Sequence, residues 1–228
     1  MTPVPVGIVT GSSRGLGLAL TRELAARGWR VVVDARDGKH LAHAVEGMAG
    51  VVAIAGDVSD PGHRRALVDA AGDRVDLLVN NAGVLGPSPR PALAEYPIDE
   101  LMRVYAVNAA APLALVQEAL PRLAPGAAVL SVTSDAAVEP YEGWGGYGSS
   151  KAALEQLTAI LAAEHPELRV YTVDPGDMRT RTYQDAFPGE DVSELPPPEE
   201  SVPGLLALIE GTLPSGRYVA RELVEARA

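Results

Sequence analysis

The chain alternates short apolar runs with longer segments in which apolar residues recur every three or four positions. The short runs are rich in Val, Ile and Leu and carry few charges, which is typical of strands covered on both faces. We therefore predict six strands and a last short one: Val4–Thr10, Trp29–Asp34, Val51–Ala55, Val75–Asn80, Ala127–Val132, Leu168–Val173 and Arg217–Ala220.

Amphipathic segments separate these strands. Leucines at fourfold spacing predict a first helix that ends at Gly28, a residue typical of helix C-termini. The third predicted helix is long and contains Pro112, where we expect a kink or an extension. The alternation predicts an α/β fold: a doubly wound parallel sheet of about seven strands with helices on both faces. The predicted helices are Leu16–Arg27, His63–Ala71, Pro97–Arg122 and Ser149–Glu164.

No internal repeat and no interdomain linker interrupts this pattern, so we predict one domain over residues 1–228. The least regular segment is 177–203, which contains five prolines and has six acidic residues between Asp185 and Glu200. Two interpretations remain open for this segment: a solvated surface loop, or a lid over a substrate site.

Composition narrows the classes of partner. The 228-residue chain has no cysteine and a formal net charge of −11. Without cysteine it has no thiolate nucleophile or Cys-ligated metal, and we predict no metal site. An acidic surface repels nucleic acid and anionic lipid, so neither is an expected partner. The stretch from Met1 to Gly7 lacks the basic region and apolar core of a signal peptide, so a cytoplasmic location is expected.

A glycine-rich turn follows the first predicted strand and opens the first helix. The glycines allow a tight turn and a close approach of backbone to phosphate, and the helix N-terminus favours an anion. Three glycines can also serve only to make a turn, but the position between strand and helix favours nucleotide binding. The candidate cofactor-binding residues here are Gly11, Ser12, Ser13, Arg14, Gly15, Leu16 and Gly17.

With this TGxxxGxG motif, the chain resembles the short-chain dehydrogenase/reductase family over about residues 6–180. The resemblance implies a compact Rossmann-type domain that binds a nicotinamide dinucleotide. It also implies that Asp57, with Val58 beside it, binds the adenine edge, although Asp57 can also be read as a turn or helix cap. The match to the family's NNAG motif, Asn80-Asn81-Ala82-Gly83, implies that Asn81, Ala82 and Gly83 line the adenosine side.

The end of the second strand predicts which cofactor binds. A carboxylate there bonds the ribose 2′-hydroxyl of NAD, whereas an arginine accommodates the 2′-phosphate of NADP. Aligned to the family, the carboxylate position holds Ala35 and the next holds Arg36. Asp34 is one residue early and should point to the opposite side of the strand. We therefore predict NADP(H), with NAD(H) as the alternative if the register differs by one residue.

Tyr147 and Lys151 are the candidate proton-transfer pair. Residues four apart lie on one face of a helix, so Lys151 is expected beside Tyr147. Its ammonium group, together with the positive charge of an oxidised nicotinamide, is expected to lower the pKa of Tyr147. The tyrosine could then exchange a proton with a carbonyl or alcohol oxygen. The resemblance implies that Lys151 also holds the nicotinamide ribose.

Two further residues complete the family's catalytic set. Ser134 precedes Tyr147 by thirteen residues and should hydrogen-bond the substrate oxygen, while Asn108 is implied to hold a water that relays protons through Lys151. A YxxxK spacing alone is common on helix surfaces. However, the chain has only two lysines and three asparagines, and four of these five residues stand at motif positions. We therefore predict that Asn108, Ser134, Tyr147 and Lys151 are catalytic.

The segment after the sixth strand resembles the family's PGxxxT motif. This implies that Pro175, Gly176, Met178 and Thr180 contact the nicotinamide end of the cofactor, although a Pro-Gly turn can also simply end a strand. Tyr141 and Trp144 precede the catalytic tyrosine and are candidates either for the substrate pocket or for packing on the lid. Asp135 departs from the family, where smaller residues usually follow the serine.

These features predict an NADP(H)-dependent oxidoreductase that interconverts a small-molecule carbonyl and an alcohol. The alternatives are a non-catalytic NAD(P)-binding regulator of the same fold, an NAD-preferring dehydrogenase, and an extended epimerase or dehydratase, for which the chain leaves little room. The resemblance also implies a homodimer or homotetramer associated through Pro97–Arg122 and Ser149–Glu164.

Overall fold

A computed structural model of the protein describes residues 3–225; the ends of the predicted 1–228 domain lie outside these residues. Within them, seven strands form one sheet in the order β3-β2-β1-β4-β5-β6-β7, and every neighbouring pair is parallel. This confirms the predicted doubly wound fold. The strands are β1 (Val6–Val9), β2 (Arg30–Ala35), β3 (Val51–Ala55), β4 (Val75–Asn80), β5 (Leu123–Val132), β6 (Arg169–Asp174) and β7 (Gly216–Val219).

Helices cover both faces of the sheet. One face packs against α1 and α8, and the other packs against α3 and α5. Alternate residues of the same strand supply the two cores, as with Val9 and Ile8 in β1. The helices are α1 (Gly15–Ala26), α2 (Gly38–Ala44), α3 (Pro61–Ala71), α4 (Ile98–Tyr105), α5 (Ala111–Ala119), α6 (Gly145–Glu164), α7 (Arg181–Ala186), α8 (Val202–Glu210) and α9 (Ala220–Glu225).

The long helix predicted over Pro97–Arg122 is present as one helical run whose type changes along its length. A π-helical turn, Ala106–Ala110, joins α4 to α5, and a 3₁₀ turn, Leu120–Arg122, follows α5. The irregular turn precedes Pro112, which lies in the first turn of α5, where a missing backbone N–H is tolerated. π-Helical turns occur frequently at functional sites, and this one contains Asn108.

The irregular segment 177–203 is more structured than its composition indicates. It contains α7, capped by the Thr180 hydroxyl, and a 3₁₀ turn over Pro198–Ser201. Helix α8 follows this turn directly and is almost entirely buried, with Leu205 and Leu208 fully enclosed. The segment is therefore joined at its end to the core beside α1.

Candidate active site

A cleft of 1880 Å³ runs along the carboxyl ends of the strands. It lies where the strand order reverses between β1 and β4, the position at which doubly wound sheets bind ligands. Its walls come from the turns after β1 to β6 and from the start of α6. Residues distant in the sequence are thereby brought to one surface.

The glycine-rich turn lies at the centre of this cleft. Gly11 has a φ of +73°, and a side chain there would come within 2.9 Å of the Ala82 backbone. The Asn81 side chain donates to the Thr10 carbonyl oxygen at 2.7 Å and fixes the turn from β4. Helix α1 then begins with no side-chain cap and no acidic residue in its first turn. Its N-terminal N–H groups thus suit a phosphate.

Two residues of the turn support it from below and do not line the cleft. Ser12 is fully buried and donates to the Val9 carbonyl oxygen at 2.9 Å. A side chain on Gly17 would lie 2.5 Å from the Asn81 amide nitrogen and 2.6 Å from the Gly11 carbonyl oxygen. The prediction that these two residues contact the cofactor is therefore corrected to a supporting role. The other predicted residues of the turn do line the cleft: Gly11, Ser13, Arg14, Gly15 and Leu16.

Asp34 lies under the same turn. One of its carboxylate oxygens accepts from the Gly11 N–H at 2.7 Å, and the other lies 2.9 Å from Nε2 of His63 on α3. Both residues are buried. From its position in the strand, Asp34 is expected to point to the opposite side, and no motif signals its pairing with His63. Each of its carboxylate oxygens has a protein partner, and the side chain is buried beneath the turn.

The side of the cleft beside the end of β2 carries charges of both signs. Arg14, Arg36 and His40 line it together with Asp34, Asp37 and Asp57, and Arg36 is exposed just after β2. Asp37 caps α2 by accepting from the Lys39 and His40 N–H groups.

Asp57 and Val58 also line the cleft, after β3. Asp57 accepts from the Ser59 N–H and hydroxyl at 2.8 and 2.7 Å. Burial opposes ionisation of Asp57, but these hydrogen bonds hold its pKa below the ordinary value. The helix cap is instead Asp60, at the start of α3. Asp57 therefore forms a turn and faces the cleft at the same time.

The predicted catalytic pair lies on α6. This helix begins at Gly145, earlier than predicted, so Tyr147 and Lys151 stand one turn apart on it. The Lys151 ammonium is 5.6 Å from the Tyr147 ring centroid and donates to the Val132 carbonyl oxygen at 2.7 Å. Ser134, at the end of β5, lies within hydrogen-bonding reach of the Tyr147 hydroxyl. All three residues line the same cleft as the glycine-rich turn.

The pKa values differ from the sequence-based expectation. Burial raises the pKa of the Tyr147 phenol, and the carboxylates of Asp174 and Asp135 raise it further, while Ser134 lowers it. The expected lowering is therefore wrong for the protein alone, because burial and two anions outweigh the hydrogen bond of Ser134. Burial lowers the pKa of the Lys151 ammonium to about 8, against an opposing effect of Glu155. Tyr147 accordingly holds its proton.

Asn108 is fully buried in the π-helical turn and does not line the cleft. Its side chain accepts from the Val84 N–H and donates to the Val84 carbonyl oxygen, both at 2.9 Å. It also donates to the Ser150 hydroxyl at 3.0 Å. The side chain thus joins the loop after β4 to α6, beside Lys151. Its predicted part in a water relay stays a prediction.

The turn after β6 closes the opposite end of the cleft. Pro175, Gly176, Met178 and Thr180 all line it, as the resemblance implied. Asp174 holds this turn by accepting from the Gly176 N–H at 2.9 Å. The PGxxxT motif thus lines the same cleft as Ser134 and Tyr147.

Aromatic side chains stand beside Tyr147. The Trp144 ring meets the Tyr147 ring edge-on, with centroids 5.6 Å apart. The guanidinium of Arg90 lies over both Trp144 and Phe187, at 4.1 and 4.7 Å from their centroids, and the two rings contact each other. Trp144 therefore both lines the cleft and packs on Phe187, the residue after α7. Arg90 and Phe187 belong to no motif, so no signal in the sequence points to either.

Among residues 3–225, no helix combines the length and apolar character that crossing a bilayer requires.

Comparisons with known proteins agree with this geometry. The family model for short chain dehydrogenases matches residues 5–191. A chloroplastic NADPH-dependent aldehyde reductase-like protein of Arabidopsis thaliana is 31% identical over 212 residues, which cover 83% of this chain and 78% of that protein.

Two solved structures show the same architecture over nearly the whole chain. A short chain dehydrogenase from Pseudomonas syringae superimposes with a TM-score of 0.88 at 30% identity, covering 95% of this chain and 94% of that one. A short chain dehydrogenase from Escherichia coli CFT073, complexed with NADPH, gives a TM-score of 0.86 at 27% identity over 95% and 96% of the two chains. The chain therefore belongs to the short chain dehydrogenase family of oxidoreductases.

Proposed function

We propose that the protein interconverts a small-molecule carbonyl and an alcohol with NADP(H), using Tyr147 as general acid and base. The observation that carries this proposal is the convergence of Ser134, Tyr147 and Lys151 on the cleft that contains the glycine-rich turn. A phosphate-binding turn and a proton donor in one cleft suit a reaction in which the cofactor transfers hydride and the protein manages the proton.

The residues present fit a nicotinamide dinucleotide. The uncapped N-terminus of α1 and the close approach of Gly11 to Ala82 leave room for a pyrophosphate at the backbone. The turn of Pro175 and Gly176 would hold the nicotinamide end. The bound cofactor supplies or accepts the hydride.

The protein's own groups handle the substrate oxygen. In reduction, the neutral Tyr147 hydroxyl donates its proton to that oxygen as an alcohol forms, and in oxidation its phenolate accepts the proton. Ser134 is positioned to hydrogen-bond the same oxygen. Lys151 would hold the ribose beside Tyr147 and, when charged, favour the phenolate.

We propose that NADP(H) is preferred over NAD(H). Arg14 and Arg36 line the cleft beside the end of β2 and can bind a phosphate, while Asp34 is buried with Gly11 and His63 as partners and Asp37 caps α2. The NADPH named in the E. coli complex and in the Arabidopsis relative supports the same preference.

Replacement of Arg36 tests this preference. We expect Arg36→Ala to raise the KM for NADPH roughly tenfold, the loss of one partly exposed charge-assisted hydrogen bond, and to leave the KM for NADH nearly unchanged. Steady-state kinetics with both cofactors measure this. A wild-type protein that prefers NADH would contradict the assignment.

The second candidate is a regulator that binds the cofactor without turnover. The intact set of Ser134, Tyr147 and Lys151 in one cleft argues against it, because cofactor sensing needs no proton donor. A panel of aldehydes, cyclic ketones and keto esters, followed at the NADPH absorbance, separates the two: cofactor binding with no turnover on any of them would favour the regulator.

We further propose a cytoplasmic homo-oligomer. Ile98 and Met102 on α4 are 67% and 63% exposed, and Ile160 on α6 is 44% exposed, although all three are large and apolar. Association through α4, α5 and α6 would cover them. Light scattering of the purified protein measures the mass, and a monomer at micromolar concentration would refute this part of the proposal.

A further inference from the structure

The direction of the Ser134 hydroxyl is set by its neighbours. Its oxygen donates to Oδ1 of Asp135 at 2.8 Å and accepts from the Ala136 N–H at 3.2 Å. An ionised carboxylate has no proton to give, so Ser134 must be the donor in the first of these bonds. A hydroxyl carries only one proton. The proton of Ser134 therefore points at Asp135 and is not free for a substrate oxygen.

Asp135 is itself held in place. Its other oxygen, Oδ2, accepts from the Tyr141 hydroxyl at 3.0 Å, and Oδ1 also accepts from the Ala136 N–H at 2.8 Å. Three donors thus orient a carboxylate on an otherwise exposed residue. Hydrogen bonds to a carboxylate are stronger than those between neutral groups. Turning the Ser134 proton toward a substrate means losing one of them.

This arrangement affects the binding of a carbonyl and of the corresponding alcohol differently. A carbonyl oxygen can only accept hydrogen bonds, so beside Ser134 it meets a lone pair instead of a proton. An alcohol can donate to that lone pair while its oxygen accepts from the neutral Tyr147 hydroxyl. The geometry around Asp135 consequently disfavours the bound carbonyl relative to the bound alcohol.

We propose that Asp135 is a positioning residue that turns the proton of the Ser134 hydroxyl away from the substrate. As a result, the site favours the bound alcohol over the bound carbonyl more strongly than it would without Asp135. The proposal rests on the carbonyl–alcohol activity proposed above. It concerns the relative affinity of the site for the carbonyl and the alcohol. Asp135 does not itself contact the reacting atoms.

The test compares Asp135→Ala with the wild type on three substrate pairs: benzaldehyde and benzyl alcohol, cyclohexanone and cyclohexanol, and ethyl acetoacetate and ethyl 3-hydroxybutyrate. KM is measured in both directions for each pair that the wild type turns over. We expect the ratio of carbonyl KM to alcohol KM to fall about tenfold in Asp135→Ala, since one hydrogen bond no longer competes for the Ser134 proton. The equilibrium constant is the same for both proteins, so the ratio of kcat for reduction to kcat for oxidation must fall by the same factor as the KM ratio.

Two further variants separate hydrogen bonding from charge and folding. Asp135→Asn keeps the shape and leaves a neutral acceptor, so the KM ratio should fall by a smaller factor. Asp177→Asn removes another exposed carboxylate of the cleft and leaves the bond to Ser134 intact. Its KM ratio should stay that of the wild type. The dissociation constant of NADPH, measured for every variant, reports whether the cleft is folded.

An unchanged KM ratio in Asp135→Ala, or an equal fall in Asp177→Asn, overturns the proposal for Asp135 while the proposed function stands. If the wild type binds NADPH but turns over no pair in either direction, the proposed function fails and the assignment of Asp135 falls with it.

Discussion

At the scale of single residues, burial governs the chemistry of the site. Tyr147 and Lys151 are placed in a cleft where desolvation raises the pKa of the phenol and lowers that of the ammonium. Desolvation thus favours the neutral form of both groups, with Tyr147 protonated and ready to donate. The i,i+4 spacing predicted their proximity. It could not predict their pKa values, because these depend first on burial, and then on Asp174 and Asp135 for Tyr147 and on Glu155 for Lys151.

The lowered pKa of Lys151 has a consequence for stability. Its value of about 8 in the folded protein lies below the ordinary 10.5, so between these pH values the unfolded chain binds a proton that the folded protein does not. The burial of charged Lys151 therefore lowers the free energy of unfolding by its full amount below pH 8. This destabilising contribution shrinks as the pH rises toward 10.5. The raised pKa of Tyr147 has the opposite effect on the free energy of unfolding, but only at pH values above 10.0, the ordinary pKa of tyrosine.

We expect the wild type to gain on the order of 2 kcal/mol of unfolding free energy, relative to Lys151→Met, between pH 8 and pH 10. Urea unfolding at several pH values measures this difference. The matched control is Lys39→Met, because Lys39 is the chain's other lysine and is exposed at the start of α2. Parallel pH curves for the wild type and Lys151→Met would show that burial does not perturb Lys151.

At the scale of elements, strand ends and helix starts position the functional groups. The turn between β1 and α1 is held from β2 by Asp34 and from β4 by Asn81. The apolar pattern predicted these strands to within two residues, because a continuous apolar run is a local signal, although β5 begins at Leu123, before the predicted Ala127. It missed α2, α7, α8 and α9. The first two are short and polar, α8 follows a run of prolines that indicated a loop, and α9 is a short helix directly after the last strand.

The contact of Gly17 with β4 yields a prediction at this scale. A methyl group on Gly17 would press on the Asn81 amide and the Gly11 carbonyl oxygen, so Gly17→Ala should displace the phosphate-binding turn. We expect the dissociation constant of NADPH to rise at least tenfold and the unfolding free energy to fall by about 1–3 kcal/mol.

Fluorescence titration and urea unfolding measure the two effects. Gly62→Ala is the matched control, since Gly62 is an exposed helical glycine in α3 whose added methyl group would come no closer than 3.4 Å to another atom. At that position alanine has a better helix propensity than glycine and meets no obstacle, so we expect no loss of stability and an unchanged dissociation constant of NADPH. Equal NADPH affinity in wild type and Gly17→Ala would contradict the tight packing of the turn.

At the scale of the whole molecule, one parallel sheet with a core on each face brings the carboxyl ends of all seven strands to a single edge. The order of motifs along the chain sufficed to predict this assembly, and most of the predicted site residues line the cleft. The sequence could not predict contacts between segments without a motif, such as the pairing of Asp34 with His63 or the stacking of Arg90 on Trp144. Such contacts depend on the approach of distant loops.

The central claim is that Tyr147 is the proton donor and acceptor of an NADP(H)-dependent reaction. Its most direct test is the rate of NADPH oxidation by wild type and Tyr147→Phe with the best carbonyl of the panel, together with the NADPH dissociation constant of each. The account predicts that the variant loses at least 99% of the turnover, a barrier increase of about 3 kcal/mol or more, while NADPH binds within about threefold of the wild type. Turnover in Tyr147→Phe close to that of the wild type would contradict it.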